Sequence, residues 1–221
     1  MNSATVIIVA AGRGERFGGN KPFAMLGGKP IIDWSLETFE AHADVGAVIL
    51  VLPPGRNGGD FRRRYPKIHT VVPGGKERQD SVLRGFGWAA AEMGDIVLIH
   101  DGARPFASAD LVGRIIRTAG AKGAAIPVLP ASDTMKRVKD GCVVETLDRS
   151  ELAAVQTPQG FKRGVLAAAL DKAVRDGYVG TDEAALVERA GYPVHVVPGE
   201  PGNIKITRPE DLKLAEALLH V

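Results

Sequence analysis

Short apolar runs alternate along this chain with stretches in which apolar residues recur three and four positions apart. Thr5 to Ala10, Ala47 to Leu52, Ile68 to Val72, Ile96 to His100, Ala124 to Leu129 and Val194 to Val197 are β-rich and lie near breakers, the pattern of strands covered on both faces. Helices are predicted between them. Pro30 stands at a first-turn position ahead of Ile31, Trp34, Leu36 and Phe39. Val82, Leu83, Phe86, Ala90 and Met93 repeat at helical spacing, and Ser108 can cap a helix carrying Leu111, Ile115 and Ile116. The alternation implies an α/β fold with a mostly parallel sheet and right-handed crossovers.

Residues 131 to 153 break this rhythm. They contain two short β-prone halves around Asp140-Gly141, a strong hairpin turn signal, with too few apolar residues for a core of their own. An isolated hairpin is marginal in water, so it must lean on something, either a partner subunit or the parent domain.

Composition narrows the class of protein. The 221 residues carry 28 basic and 26 acidic side chains, scattered along the chain, for a net charge of +2. No long basic stripe argues for nucleic acid or an anionic membrane, and Arg62-Arg63-Arg64 reads as a solvated loop or helix end. The single cysteine, Cys142, rules out an intrachain disulfide framework and fits a reducing compartment. With no targeting or spanning segment in view, a cytoplasmic protein is expected.

The glycine-rich stretch from Val9 to Lys21, directly after Val6-Ile7-Ile8, raises the question of a phosphate site. A dinucleotide fingerprint on Gly12 and Gly14 would need glycine at 17, where Phe17 stands, and the second strand ends in Leu52-Pro53-Pro54 with no ribose-binding acid. A Walker loop would need Gly-Lys-Ser/Thr, but Lys21 lies between Asn20 and the helix-breaking Pro22. What remains is either a solvated turn or a longer loop presenting Arg13, Arg16 and Lys21 at a strand end, as a phosphoryl-transfer site requires.

Other strand ends bear on that choice. Ile96 to Pro105 leaves Asp101 at the tip of a buried strand, with Gly102 permitting close approach and Arg104 suited to bidentate phosphate contact. Asp101 could also hold magnesium, which binds through one or two carboxylates plus substrate phosphates. Val72 to Ser81 adds a second glycine turn opening a helix, a plausible edge for a base or ribose. Asn203 to Thr207 reads as a short strand carrying Lys205 ahead of a helix at Pro209. His100 reads as structural. Thr181, before Asp182-Glu183, reads as a helix N-cap that is also compatible with ligand contact.

The blocks VAAGRGERFGGNKPF, PGGKERQDSV, HDGARPF, DTMKRV, LDRSEL, QTPQGF, GTDEAALVERAG and GNIKITRPEDL follow one another over essentially the whole chain. In this order they resemble the 2-C-methyl-D-erythritol 4-phosphate cytidylyltransferases of the non-mevalonate isoprenoid pathway. Val9 and Gly102 depart from the proline and alanine common there. The resemblance implies a Rossmann-like nucleotidyltransferase in which residues 1–221 form one domain and 131–153 form a β-arm used in homodimerisation. The fused form carrying the next enzyme of the pathway is not expected.

By the same resemblance, Ala10, Ala11, Gly12, Gly14, Gly74, Gly75 and Ser81 read cytosine and support the triphosphate, largely through backbone atoms. Arg16 and Lys21 stabilise charge on the α-phosphate, with Mg2+ bridging the phosphates. Arg149 and Lys205 position the attacking group. Thr134 and Arg149 reach the sugar phosphate across the dimer, while Asp101, Arg104, Thr157, Thr181 and Lys205 help enclose it. The expected partners are CTP and a polyol phosphate. Two alternatives accompany this reading: a cytidylyltransferase for another polyol phosphate, such as ribitol 5-phosphate, and a nucleotide-binding protein without turnover.

Overall fold

The computed structural model describes residues 3–12, 14–19, 21–89 and 94–219, with Arg16 described by its main chain alone. Arg13, the side chain of Arg16, and the helical positions Ala90 and Met93 therefore lie outside the described residues.

The strands are β1 (Ala4–Val9), β2 (Met25–Leu26), β3 (Lys29–Pro30), β4 (Val45–Leu52), β5 (Ile68–Pro73), β6 (Ile96–Asp101), β7 (Ala124–Pro130), β8 (Lys136–Lys139), β9 (Cys142–Thr146), β10 (Ala153–Val155), β11 (Gln159–Lys162) and β12 (His195–Pro198). The helices are α1 (Ile31–Ala41), α2 (Gly59–Arg64), α3 (Arg78–Phe86), α4 (Ala109–Lys122), α5 (Arg163–Arg175), α6 (Glu183–Arg189) and α7 (Asp211–Leu218).

Eight of these strands form one sheet in the order β10-β7-β11-β6-β1-β4-β5, with β12 paired to β7. The run β6-β1-β4-β5 is parallel, as is β12 on β7. The pattern did not reveal β11, which is antiparallel to both β6 and β7 and makes the sheet mixed. At four residues it is too short to carry a period.

Alternation along the strands sends side chains to two cores. Val6, Ile8, Leu50 and Leu98 pack with Phe39 of α1 and Leu111 and Ile115 of α4, whereas Ile7, Ile49, Val97 and Ile99 pack with Val82, Leu166 and Val187 on the opposite face. Gly160 shows how closely α4 approaches: a Cβ there would sit 2.5 Å from Ile115. Pro30 flanks α1 as expected, and Ser108 Oγ accepts from the Leu111 N–H to cap α4. The expected strand at Asn203–Thr207 is instead an irregular segment outside the sheet, tied to the fold by Ile206 N–H donating to Ala103 O.

This topology sets the position of the site. The chain runs from β1 to β4 and β5 on one side, then crosses to β6 on the other, so the strand order reverses at β1. Val9 pairs with both Val51 and Asp101, which brings the carboxyl ends of β1, β4 and β6 into line at the crevice where open α/β sheets bind ligands.

The hairpin is present as β8 and β9, and its turn uses positive φ at Asp140 (50°) and Gly141 (78°), as a tight hairpin requires. Its side chains are exposed, including Val138, Val143 and Val144. Among the described residues, no helix is long and apolar enough to cross a membrane.

Candidate active site

A cleft of about 610 Å³ opens at the carboxyl ends of these strands. One wall is the loop after β1, with Ala10, Ala11, Gly12, Gly14 and Lys21. The second is the turn after β5, with Gly74, Gly75 and Ser81, and the third carries Asp101 and Lys205. These ten of the expected residues are therefore brought together.

Local chemistry shapes the two glycine turns. The first folds back on itself as Gly19 N–H donates to Gly14 O (3.0 Å), with Gly14 in the left-handed region at φ 64°. At the second turn, Gly74 N–H donates to Leu52 O (2.8 Å), and a Cβ on Gly74 would fall 2.1 Å from that of Ala11. Only glycine lets the two turns touch. Ser81 Oγ accepts from Gly75 N–H (3.0 Å), and a reciprocal Glu77/Asp80 capping box fixes the start of α3 just beyond it.

The third wall is a charge network. Asp101, the last residue of β6, accepts from Arg78 Nε at Oδ1 (3.0 Å) and from Lys205 Nζ at Oδ2 (2.6 Å). Arg78 Nη1 reaches both oxygens of Glu183, each at 2.7 Å. Burial disfavours the Asp101 carboxylate, but Arg78 and Lys205 outweigh it, so its pKa lies well below the usual range. Burial likewise works against charge on Arg78, yet Glu183 and Asp101 hold its pKa above the ordinary arginine value.

This arrangement bears on Asp101 as an expected metal ligand. Both of its oxygens already hold cations, and among the described residues no group of three or more His, Cys, Asp or Glu side chains could share a metal ion. Among the described residues, no side-chain cluster fits a magnesium site held by protein groups alone, without substrate phosphates.

Other expected residues lie outside the cleft lining. Arg104 is not free for bidentate phosphate contact in this conformation, since its Nη1 donates to Asn203 O (2.8 Å) and its Nη2 to Val155 O (3.2 Å). Thr157 is buried beneath the site, where its Oγ1 accepts from Asp101 N–H (3.1 Å) and lies 3.2 Å from His100 Nδ1. Thr181 is exposed, and the N-cap of α6 is Asp182, whose side chain accepts from Ala185 N–H. Thr134 is exposed, and Arg149, also exposed, donates through Nη1 to Ser132 O within its own arm.

Sequence reasoning did not single out Arg78, Arg84 or Phe23, which also line the cleft. Arg84 Nη1 braces the second turn through Gly74 O (2.9 Å). Phe23 lies beneath the Arg56 guanidinium, 3.3 Å from ring centroid to Cζ.

His100 is structural. It is fully buried against Phe39, and its Nε2 meets Arg104 O at 3.1 Å. Burial lowers its pKa from 6.5 to about 4, against the pull of Asp101. Between these values the unfolded chain binds a proton that the folded chain refuses, so stability falls as pH drops through this window. This one side chain is expected to contribute about 1.4 kcal/mol per pH unit to that slope. Urea unfolding of the wild type and His100→Asn from about pH 7 to about pH 4 checks it: the variant, though less stable, loses that part of the slope.

With this geometry established, similarity to known proteins identifies the chain's relatives. The profile of the 2-C-methyl-D-erythritol 4-phosphate cytidylyltransferase family matches residues 4–221. A protein of that name from Alkaliphilus metalliredigens is 44% identical over 99% of this chain and 94% of its own length. The crystal structure of the corresponding Thermus thermophilus protein superposes with a TM-score of 0.83 at 39% identity, covering 99% of this chain and all of that one. The synthase structure from Anaerococcus prevotii gives a TM-score of 0.86 at 30% identity, over 100% of this chain and 97% of that one. The chain belongs to the 2-C-methyl-D-erythritol 4-phosphate cytidylyltransferase family.

Proposed function

We infer that the cleft takes CTP and 2-C-methyl-D-erythritol 4-phosphate and joins them, releasing pyrophosphate, as a step in isoprenoid precursor synthesis in the cytoplasm. The observation that carries this reading is the placing of Lys21 and Lys205 on different walls of one cleft whose glycine turns bare the backbone. A phosphate monoester carries a charge of about −1.5 to −2 at neutral pH and needs no general base. One of its oxygens bonds to the α-phosphorus of CTP as the bond from that phosphorus to the bridging oxygen of pyrophosphate breaks.

The obstacle is repulsion between two anions, and the remedy is preorganised positive charge. In this reading Lys21, with Arg16 from the same loop, stabilises the α-phosphate, and Lys205 orients the incoming monoester. Ala10, Ala11, Gly12, Gly14, Gly74 and Gly75 offer main-chain groups to nucleotide and base, with Ser81 holding the second turn. Magnesium enters as part of the substrate, the metal–nucleotide complex, and no residue is assigned to it.

The arm completes the proposal. Thr134 and Arg149 lie outside the cleft lining, and the arm exposes Val138, Val143 and Val144, which supports a homodimer in which each arm serves its neighbour's cleft. Thr181 and Arg104 would meet the sugar phosphate only after local adjustment, whereas Thr157 supports Asp101 from below.

A matrix of four nucleoside triphosphates against several polyol phosphates, scored by product mass, is expected to give strong turnover only for CTP with 2-C-methyl-D-erythritol 4-phosphate. Lys21→Ala should lower that turnover about a hundredfold or more with little change in melting temperature. Preference for ribitol 5-phosphate, or no product at all, contradicts the reading. The arm has its own test: mixing the inactive variants Lys21→Ala and Arg149→Ala should restore about a quarter of wild-type activity, because half of the dimers are mixed and each holds one intact site. No recovery after verified subunit exchange excludes the shared site.

A further inference from the structure

We propose that Arg78 is the positioning residue for the sugar-phosphate half of the site, setting through one guanidinium both the aim of Lys205 and the place of the loop that bears Thr181. The inference rests on the cytidylyltransferase reading above and adds to it a residue that acts through Lys205 and the 178–183 segment.

Arg78 is the first residue of α3, three positions after Gly75, so it belongs to the nucleotide side by sequence. Its contacts lie on the other side. Nε holds Asp101 at the tip of β6, and Nη1 holds Glu183 at the start of α6, 105 positions away along the chain. The neighbouring Gln79 acts in the same direction, its Nε2 donating to Tyr178 O (3.0 Å) and its Oε1 accepting from Gly180 N–H (2.9 Å). Two consecutive side chains thus tie the 178–183 segment to the head of α3.

Glu183 is only 1% exposed, and Arg78 is the cation that pairs with it. A carboxylate buried to that degree is tolerated only when paired, so loss of Arg78 would drive α6 to shift or Glu183 to take up a proton. Asp101 divides its oxygens between Arg78 and Lys205. With Arg78 in place, the charges of Arg78, Lys205, Asp101 and Glu183 sum to zero. Without it they sum to −1 for as long as Glu183 stays ionised, in the half-site that must receive a phosphate dianion, and Lys205 is left as the one partner of Asp101 within this group.

Lysine cannot replace it. A single ammonium lacks the planar fork that reaches Asp101 with one nitrogen and Glu183 with another. The second glycine turn does not need Arg78, because Gly74 is held by Leu52 O and Arg84, and Gly75 by Ser81. The defect should therefore fall on one substrate.

Steady-state kinetics of Arg78→Lys, Arg78→Gln and Arg78→Gln/Glu183→Gln test this, with melting temperatures measured in parallel. Arg78→Lys is expected to raise KM for the sugar phosphate about ten- to hundredfold, the loss typical of a charge-assisted hydrogen bond, while KM for CTP stays within about twofold. The double variant, relieved of its orphaned carboxylate, should regain melting temperature over Arg78→Gln yet keep the raised KM for the sugar phosphate. Equal rises in both KM values, an unchanged sugar-phosphate KM in Arg78→Lys, or kinetic recovery in step with stability in the double variant each overturn the proposal while leaving the assigned reaction intact. A wild type inert on both substrates overturns that reaction and the inference with it.

Discussion

One carboxylate, that of Asp101, organises the cationic wall of this protein. A lysine and an arginine close together at a strand end repel each other, and in water they would splay apart. Asp101 binds one with each oxygen and is itself fixed at the end of a buried strand, its N–H bonded to Thr157. Positive charge is thereby set in place before any anion arrives, the condition under which electrostatic catalysis avoids reorganisation during the reaction. Glu183 extends the arrangement inward, so Arg78 is anchored at both ends of its guanidinium.

The sheet makes this arrangement possible. Reversal of strand order at β1 opens a crevice, and the parallel register of β4, β1 and β6 brings three loops to the same level. Glycines then decide how closely those loops meet. Gly74 against Ala11 leaves no room for a side chain, so main-chain groups rather than Cβ atoms face the cleft. In the proposed reading, the nucleotide side is thus mostly backbone and the sugar-phosphate side mostly charged side chains. A substitution in one is not expected to read out as a substitution in the other.

Much of this was legible in the residues. The apolar runs marked β1, β4, β5, β6, β7 and β12, and Asp140-Gly141 marked the hairpin turn, because strand burial and turn φ values are local demands. The glycine turns and the ten residues that share the cleft were legible from motif order and the family resemblance. What escaped depends on distant partners. Gln159 to Lys162 is too short to announce a strand, and its antiparallel pairing with β6 and β7 depends on strands far from it in sequence. Arg104 reads as a phosphate ligand, but its Nη1 and Nη2 each bond a distant main-chain carbonyl, of Asn203 and Val155, and nothing near Asp101 along the chain signals that Arg78 and Lys205 meet its two oxygens. Arg78 itself looks like one more surface cation in a glycine-rich turn, since nothing in its neighbourhood along the chain signals that Glu183 waits buried 105 positions away.

The central claim is that preset cations on different walls of one cleft bring two anions to one another. A crystal structure of the protein with a non-reacting CTP analogue and 2-C-methyl-D-erythritol 4-phosphate tests it most directly. The account requires the Lys21 ammonium against the α-phosphate, the Lys205 ammonium against the monoester with Asp101 still holding Arg78, and an arm from the partner closing the cleft. Both lysines turned to solvent, with the phosphates bound elsewhere, would contradict it.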